Sequence, residues 1–373
     1  MYTKSFRDIQ LPPLGLGSLH LPAVAENPDC IDRAAAQHVI DLAIERGINY
    51  IDTAYTYHGG DSEKFLGEAL SRYPRDRYYL TSKYYAAAGI DVEKMFEEQL
   101  RRCRTDYFDF YLLHGMDENY IDAYMDPQKD VLGYLRRQKE RGRIRYLGFS
   151  SHGAPETLRR FLDWYDDFDM ALIQLNYVDW TLLEGKAQYD ILTDRQIPIW
   201  VMEPLKGGRL MNLSKEAWAI LQEAAPGQSP SSWAFRFLMG LPNVQMVLSG
   251  MSSAAQVVEN ADIFERQEPL SRHEALALEQ AAEVFFKDLG VPCSACRYCC
   301  ASCPAELDIP LLIKGYNELR VSGETWRVAG LSQSKGPAQC LDCGTCLKHC
   351  PQKIEIPQVM KQFAALQGKQ GLS

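Results

Sequence analysis

The chain reads as an α/β protein. A closed (β/α)8 TIM barrel is predicted over residues 1–287, followed over residues 288–373 by a small, mainly helical domain built around metal. Three observations predict this. Eight short β-branched or aromatic runs alternate with helical stretches from Leu11 to about Phe264. The length of 373 residues holds one barrel-sized domain plus a small one. Nine of the eleven cysteines fall in the last 81 residues.

The strands are predicted at Leu14–Ser18, Asn49–Ala54, Tyr78–Tyr84, Tyr107–His114, Ile144–Ser150, Met170–Tyr177, Ile197–Leu205 and Val244–Gly250. Helices with apolar residues three or four apart follow most of them, as at Ala34–Arg46, Glu93–Arg104, Val131–Arg141 and Ser231–Met239. Apolar strands separated by helices imply a parallel sheet covered on both faces, and eight such units fit a closed barrel. A doubly wound open sheet would carry Gly-x-Gly-x-x-Gly after its first strand, which Gly15-Leu16-Gly17-Ser18-Leu19-His20 does not complete. Ser271–Leu289 is a further long helix with Leu276, Leu278, Ala281, Val284 and Phe285 as its buried stripe. Gly290-Val291-Pro292 ends it. Trp180, Trp200 and Trp233 are expected in the core, and Asp163, Asp166, Asp167 and Asp169 at a solvated helix end.

Composition is that of a soluble protein, with 46% hydrophobic and 24% charged residues and a net charge of -9. Met1 to Pro12 is mixed and polar, unlike a secretory signal, and no apolar run reaches the ~18 residues of a membrane span. Thiolates kept reduced for metal argue for a cytoplasmic location. Residues 290–373 hold nine Lys/Arg against six Asp/Glu, too modest a surplus for a nucleic-acid footprint. Cys30 and Cys103 read as small apolar residues; Cys300 is a spare candidate ligand.

Eight of the clustered cysteines form one pattern written twice. Cys293, Cys296, Cys299 and Cys303 read C-x2-C-x2-C-x3-C before Pro304, and Cys340, Cys343, Cys346 and Cys350 repeat it before Pro351. Structural zinc, which also uses C-x2-C pairs, is the competing reading. A third cysteine at another x2 step, with Cys-Pro closing both runs, instead resembles the bacterial ferredoxins and implies two 4Fe–4S clusters. In that pattern the cysteine before proline reaches across to the other cluster. Cys350 is then expected with Cys293, Cys296 and Cys299, and Cys303 with Cys340, Cys343 and Cys346. The long stretch between the runs suits a helical two-cluster module.

The second strand ends Asp52-Thr53-Ala54-Tyr55-Thr56-Tyr57-His58, the third in Lys83, the fourth in His114. Here the chain resembles the aldo-keto reductases, in an iron–sulfur branch with a C-terminal ferredoxin domain. The chemistry is coherent in its own right. Carbonyl reduction needs a proton donor for the developing alkoxide, and a tyrosine with a pKa of ~10 is a reluctant one unless a cation lies beside it. Lys83 would be that cation, Asp52 its anchor, and His114 a hydrogen-bond donor to the carbonyl oxygen. His20 and His58 are expected to border the pocket.

The resemblance also implies NADP or NAD. Gly17, Ser18 and Leu19 fall where backbone approaches the cofactor, Ser150 and Ser151 at the family's Ser-Asn pair, and Gln174 at the carboxamide-binding position. Met202 replaces the family's stacking tyrosine, followed by Pro204 and Leu205. Gly250, Met251 and Gln256 replace the residues that grip a 2′-phosphate, while Glu259 and Asn260 match adenine contacts. Lys206 or Arg209 is left as a substitute cation. The implied activity is interconversion of a small-molecule carbonyl and alcohol, coupled to electron transfer through the clusters, with a docked redox protein as a candidate partner. The contrasting reading is a non-enzymatic electron-transfer or iron–sulfur sensing protein on a degenerate barrel. The cluster domain is expected at the catalytic mouth, because the helix after the barrel is long enough to climb the wall.

Overall fold

The computed structural model describes residues 1–24, 27–291, 293, 299–300, 302–350 and 354–369. Eight parallel strands close a barrel: β1 (Leu14–Gly17), β2 (Tyr50–Asp52), β3 (Tyr79–Tyr84), β4 (Phe108–Met116), β5 (Ile144–Ser151), β6 (Met170–Gln174), β7 (Ile199–Met202) and β8 (Val244–Ser249). Each pairs with its sequence neighbours, and β8 closes on β1 through Leu248 and Gly15. All eight predicted strands are present, and the predicted α/β barrel with its helical C-terminal region is the observed architecture.

The barrel interior is packed rather than hollow. Tyr50, Phe110, Tyr146 and Trp200 fill its amino end, where the hairpin Lys4–Phe6 and Ile9–Leu11 plugs the floor. Phe6 meets Trp200 edge-on at a centroid distance of 5.0 Å. Such large rings fit because glycines face them. A Cβ on Gly148 would lie 2.3 Å from Met170 Sδ, and one on Gly15 2.7 Å from Leu248 Cδ2. The hairpin has no counterpart in the sequence reading, since two three-residue strands carry too little periodicity to be seen.

Past the barrel, helix Arg272–Leu289 opens with a capping box, Ser271 and Glu274 bonding each other's backbone. It packs Leu278, Ala281 and Phe285 against Leu221 and Trp233. Leu276, expected in that stripe, is 51% exposed. Ala277 takes the buried place, because a helix advances about 100° per residue and Leu276 falls across the axis from Leu278. The second domain packs helix Ile309–Ser322 on helix Ile356–Lys369, through Leu312, Ile313 and Tyr316 against Met360 and Phe363. No strand occurs in it among the described residues.

Three smaller expectations are revised. Asp169 is no solvated helix end: it is buried, accepts from Leu147 N at 2.8 Å and pairs with Lys139. Cys30 is exposed, whereas Cys103 is buried as expected. Trp200 and Trp233 are fully buried, while Trp180 is only partly so. Among the described residues no helix is long and apolar enough to cross a membrane.

Candidate active site and cluster sites

Strand register brings the catalytic candidates together. Asp52 on β2 stands opposite Thr81 on β3, and Lys83, two residues on, shares the face of Thr81. Lys83 in turn stands opposite Leu112 on β4, and His114 lies two residues beyond that. Period-two alternation therefore aims Asp52, Lys83 and His114 at one place inside the carboxyl mouth. Tyr57 arrives from the loop after β2. That loop turns through left-handed His58, Gly59 and Gly60 (φ 51, 60 and 88°), so glycine is favoured there. Buried Glu63 anchors the following helix by accepting from Ser82 Oγ at 2.6 Å and Gln99 Nε2 at 2.7 Å.

The buried Lys83 ammonium donates to Asp52 Oδ1 at 2.6 Å, to the Thr53 carbonyl at 2.7 Å and to Tyr57 Oη at 3.3 Å. Its charge also lies 4.8 Å from the centre of the Tyr57 ring. Burial works against this cation, yet the attraction of Asp52 and Tyr57 holds its pKa above the ordinary lysine value. Burial raises Asp52, partly offset by Lys83. For Tyr57 burial again leads, pushing the phenol above 10.0 despite the lowering pull of Lys83. The sequence argument gave Lys83 the upper hand; in the folded site it moderates a larger desolvation penalty. Burial, with help from Lys83, pushes His114 well below the usual histidine range, so its imidazole is neutral. A neutral ring still donates one N–H. Its Nδ1 has no partner among the described residues, and the ring stands 5.9 Å from that of Tyr57.

These four residues line an opening of about 1700 Å³, shared with Gly17, Leu19, His20, Ser150, Met202 and Gly250. Ser150 Oγ accepts from Gly115 N at 2.8 Å, which leaves its own proton free to donate. A second cleft of about 910 Å³ joins it and carries Pro204, Leu205, Gln256, Glu259 and Asn260. Ser151 and Gln174 face a third cleft, between the barrel and the C-terminal domain. Two expectations fail in detail. The Ser18 side chain is buried against Ser62 and does not line the mouth, and His58 turns inward to the Ser18 carbonyl at 3.1 Å.

Lys206 is not a phosphate grip. It is fully buried, donating to Asp179 Oδ1 and Glu318 Oε2, both at 2.7 Å. Arg209 is spent on the Ser322 carbonyl at 2.9 Å. Among the described residues no lysine or arginine lines the 910 Å³ cleft, which therefore offers no side-chain cation to a 2′-phosphate.

The C-terminal domain forms part of the pocket wall. Trp326 and Ser332 line the catalytic opening, Trp326 stands 5.4 Å from the ring of His152, and Arg327 pairs with Glu203 at 3.2 Å. Sequence reasoning missed Trp326, Arg327, Glu203 and His152. None belongs to a repeated spacing, and the first two lie in the unpatterned stretch between the cysteine runs.

Cys303, Cys340, Cys343 and Cys346 surround one space of about 350 Å³, walled by Leu307, Ile309, Ile356 and Met360. Four thiolates on one zinc ion would sit ~4 Å apart, given Zn–S bonds of ~2.3 Å. Among the described residues no three Cys, His, Asp or Glu are placed to hold a single metal ion. The donor set is all-sulfur and the space is cluster-sized, so it fits an iron–sulfur cubane. Cys303 of the first run thus lies with three cysteines of the second. Cys293, Cys299 and Cys300 neighbour one another, Cys350 Sγ accepts from Ile354 N at 3.5 Å, and Cys296 lies outside the described residues.

Comparison with known proteins agrees with this geometry. The aldo/keto reductase family matches residues 13–283, and a 4Fe-4S dicluster domain matches residues 292–355. The chain belongs to the aldo/keto reductase family, as an oxidoreductase barrel joined to a 4Fe–4S dicluster domain. It is 29% identical over 289 residues to the methylglyoxal reductase YeaE of Escherichia coli, covering 74% of this chain and 92% of that protein. Its fold is similar to that of aldo-keto reductase AKR11C1 from Bacillus halodurans, with a TM-score of 0.62 at 24% identity over 75% of this chain and 96% of that one. An aldo-keto reductase from Klebsiella pneumoniae in complex with NADPH gives a TM-score of 0.60 at 23% identity, over 76% and 96%.

Proposed function

We propose that the barrel, residues 1–287, interconverts a small carbonyl compound and its alcohol at Tyr57, and that residues 288–373 hold two 4Fe–4S clusters that exchange electrons with that site. The observation that carries the reading is the buried Lys83, bonded at once to Asp52, the Thr53 carbonyl and Tyr57. A purely structural lysine has no need of a phenol facing an open cavity.

In this reading a carbonyl oxygen lies between Tyr57 Oη and the His114 ring. His114, neutral by burial, donates a hydrogen bond that fixes the carbonyl's orientation. Tyr57 keeps its proton at neutral pH and releases it as negative charge develops on the substrate oxygen. Lys83 stabilises the phenolate left behind, and Asp52 holds Lys83 in place. Bound nicotinamide would supply a hydride; Ser150 and Met202, which line the catalytic opening, would hold its ring, and Glu259 and Asn260 its adenine. Bound clusters would supply one-electron transfer. Cys293, Cys296, Cys299 and Cys350 would hold one, and Cys303, Cys340, Cys343 and Cys346 the other. Trp326, Tyr85 and Tyr120 supply an aromatic wall to the same opening.

The test is Tyr57→Phe on anaerobically prepared holoprotein. Loss of the phenol acts only on the chemical step, so carbonyl reduction should fall by about a thousandfold or more while iron content and nicotinamide affinity stay unchanged. Undiminished turnover would remove Tyr57 from the acid role.

A further inference from the structure

The catalytic opening and the adjoining 910 Å³ cleft share only His20, Glu203, Leu248 and Gly250. A dinucleotide with its nicotinamide beside Tyr57 and its adenine beside Asn260 must thread its diphosphate through this waist. Waists that take diphosphates offer cations or clustered N–H groups. This one offers a carboxylate. Among the described residues Lys83 is the only lysine or arginine lining either cavity, and its ammonium is committed to Asp52, Thr53 and Tyr57.

A cation from the other domain reaches Glu203 at the waist. Arg327 Nη2 lies 3.2 Å from Glu203 Oε1, and both side chains are nearly buried, at 10% and 14% exposure. Each keeps a spare group: Arg327 Nε and Glu203 Oε2 have no partner among the described residues. Arg327 also holds Glu324 at 2.8 Å. Glu203 sits in a left-handed conformation, φ 56°, which costs a non-glycine residue energy. Its loop keeps that shape because the cluster domain latches it further along. Lys206 meets Glu318 at 2.7 Å, and Arg209 meets the Ser322 carbonyl at 2.9 Å. The segment bearing Met202 and Glu203 is thus held by the cluster domain at three points.

We propose that the Glu203–Arg327 pair is a charge gate at this waist, a specificity-determining device for diphosphate-bridged cofactors. With the pair closed, Glu203 repels the diphosphate and Arg327 is neutralised. The diphosphate binds by drawing Arg327 away from Glu203. Affinity for the dinucleotide is then set by a residue of the cluster domain, which ties occupancy of the barrel to the placement of that domain. The proposal rests on the reading that a dinucleotide enters the barrel.

The experiment is equilibrium titration of anaerobic holoprotein with NADH and with NADPH, followed by calorimetry, for wild type, Glu203→Gln, Arg327→Gln and the double variant. Unit charges a few ångströms apart in a poorly solvated cleft change affinity by about tenfold or more. Glu203→Gln should tighten both cofactors about tenfold, Arg327→Gln should weaken both, and the double variant should return near wild type. The factor should be equal for NADH and NADPH, because the diphosphate is common to them. Since Arg327→Gln also cuts a contact between domains, the near-isosteric Glu203→Gln carries the decision. Unchanged or weaker binding in Glu203→Gln overturns the gate alone, as does a gain confined to NADPH. Binding by none of the four proteins overturns the gate together with the dinucleotide reading beneath it.

Discussion

Replacing Lys206 by methionine removes the one cation between two buried carboxylates. Asp179 and Glu318 each bond its ammonium at 2.7 Å, and all three side chains are fully buried. Asp179 also accepts from Gln174 Nε2 at 2.8 Å and from Asn176 Nδ2 at 2.5 Å, so it retains partners; Glu318 Oε1 has none among the described residues. Breaking a buried pair by deleting one partner costs ~3–5 kcal/mol. An independent bound gives the same size. The stranded carboxylate can escape by taking a proton, and at pH 7 that costs about 3.7 kcal/mol for a glutamate of ordinary pKa ~4.3. Burial and Asp179 already raise Glu318 even with Lys206 present, so it is the group that protonates. The penalty should therefore shrink to about 1 kcal/mol at pH 5, where protonation is nearly free. Because the molecule has two domains, one unfolding free energy is not well defined. Hydrogen exchange of helix Ile309–Ser322, which carries Glu318, reads the local loss instead. Lys206→Met at pH 7 should speed exchange there by two to three orders of magnitude, as ~3–4 kcal/mol implies, and much less at pH 5. Equal protection in variant and wild type at pH 7, or a penalty independent of pH, would refute the reasoning.

Holoprotein should contain close to eight iron and eight sulfide per chain, and Cys303→Ser should disturb the cluster of the Cys340–Cys346 run rather than that of its own run, by metal analysis and paramagnetic resonance. Zinc in place of iron, or loss at the Cys293 side, would defeat this. Burial lowers His114 well below its usual range and His152 to about 4, with Arg327 adding to the latter. Both groups bind protons more readily unfolded, so their stabilising contribution is complete above pH ~6.5 and is lost as pH falls towards 4. The melting temperature should drop over that window, and His152→Asn should flatten the drop; an identical slope in the variant would contradict the assignment.

The fold and the core of the site were legible because both rest on local patterns. Short β-branched or aromatic runs alternating with helices marked all eight strands, and Asp52, Lys83 and His114 each stood at or near the end of one. The cysteines carried their own spacing. What stayed hidden is tertiary in origin. The waist residue Glu203 has no periodicity to betray it, and its left-handed backbone is imposed by contacts made from more than 100 residues away in sequence, at Glu318 and Arg327. Lys206 looked like a free cation because nothing local to it shows that Glu318 will cover it. Asp169 looked solvated for the same reason: the Leu147 amide and Lys139 that bury it come from other elements.

Helix Ile309–Ser322 joins the two halves physically, with contacts to the cysteine core on one side and to the loop after β7 on the other. One face packs Ile309, Leu312 and Ile313 into the core around Cys299 and Cys346. From the same helix Asn317 clamps Val291, two residues before Cys293, with bonds of 2.6 and 2.8 Å, while Glu318 reaches into the barrel to Lys206. Lys206 fixes Asp179, which accepts from Gln174 at the cleft between the barrel and the C-terminal domain. A shift of that helix would move cluster ligands and pocket wall together, because packed interiors transmit displacement rather than absorb it. A domain retained only as a lid would need Trp326 and Arg327 but no such continuity from the cysteine loop to Gln174. Contacts from this one helix therefore run both to the cysteine loop and, through Lys206 and Asp179, to Gln174.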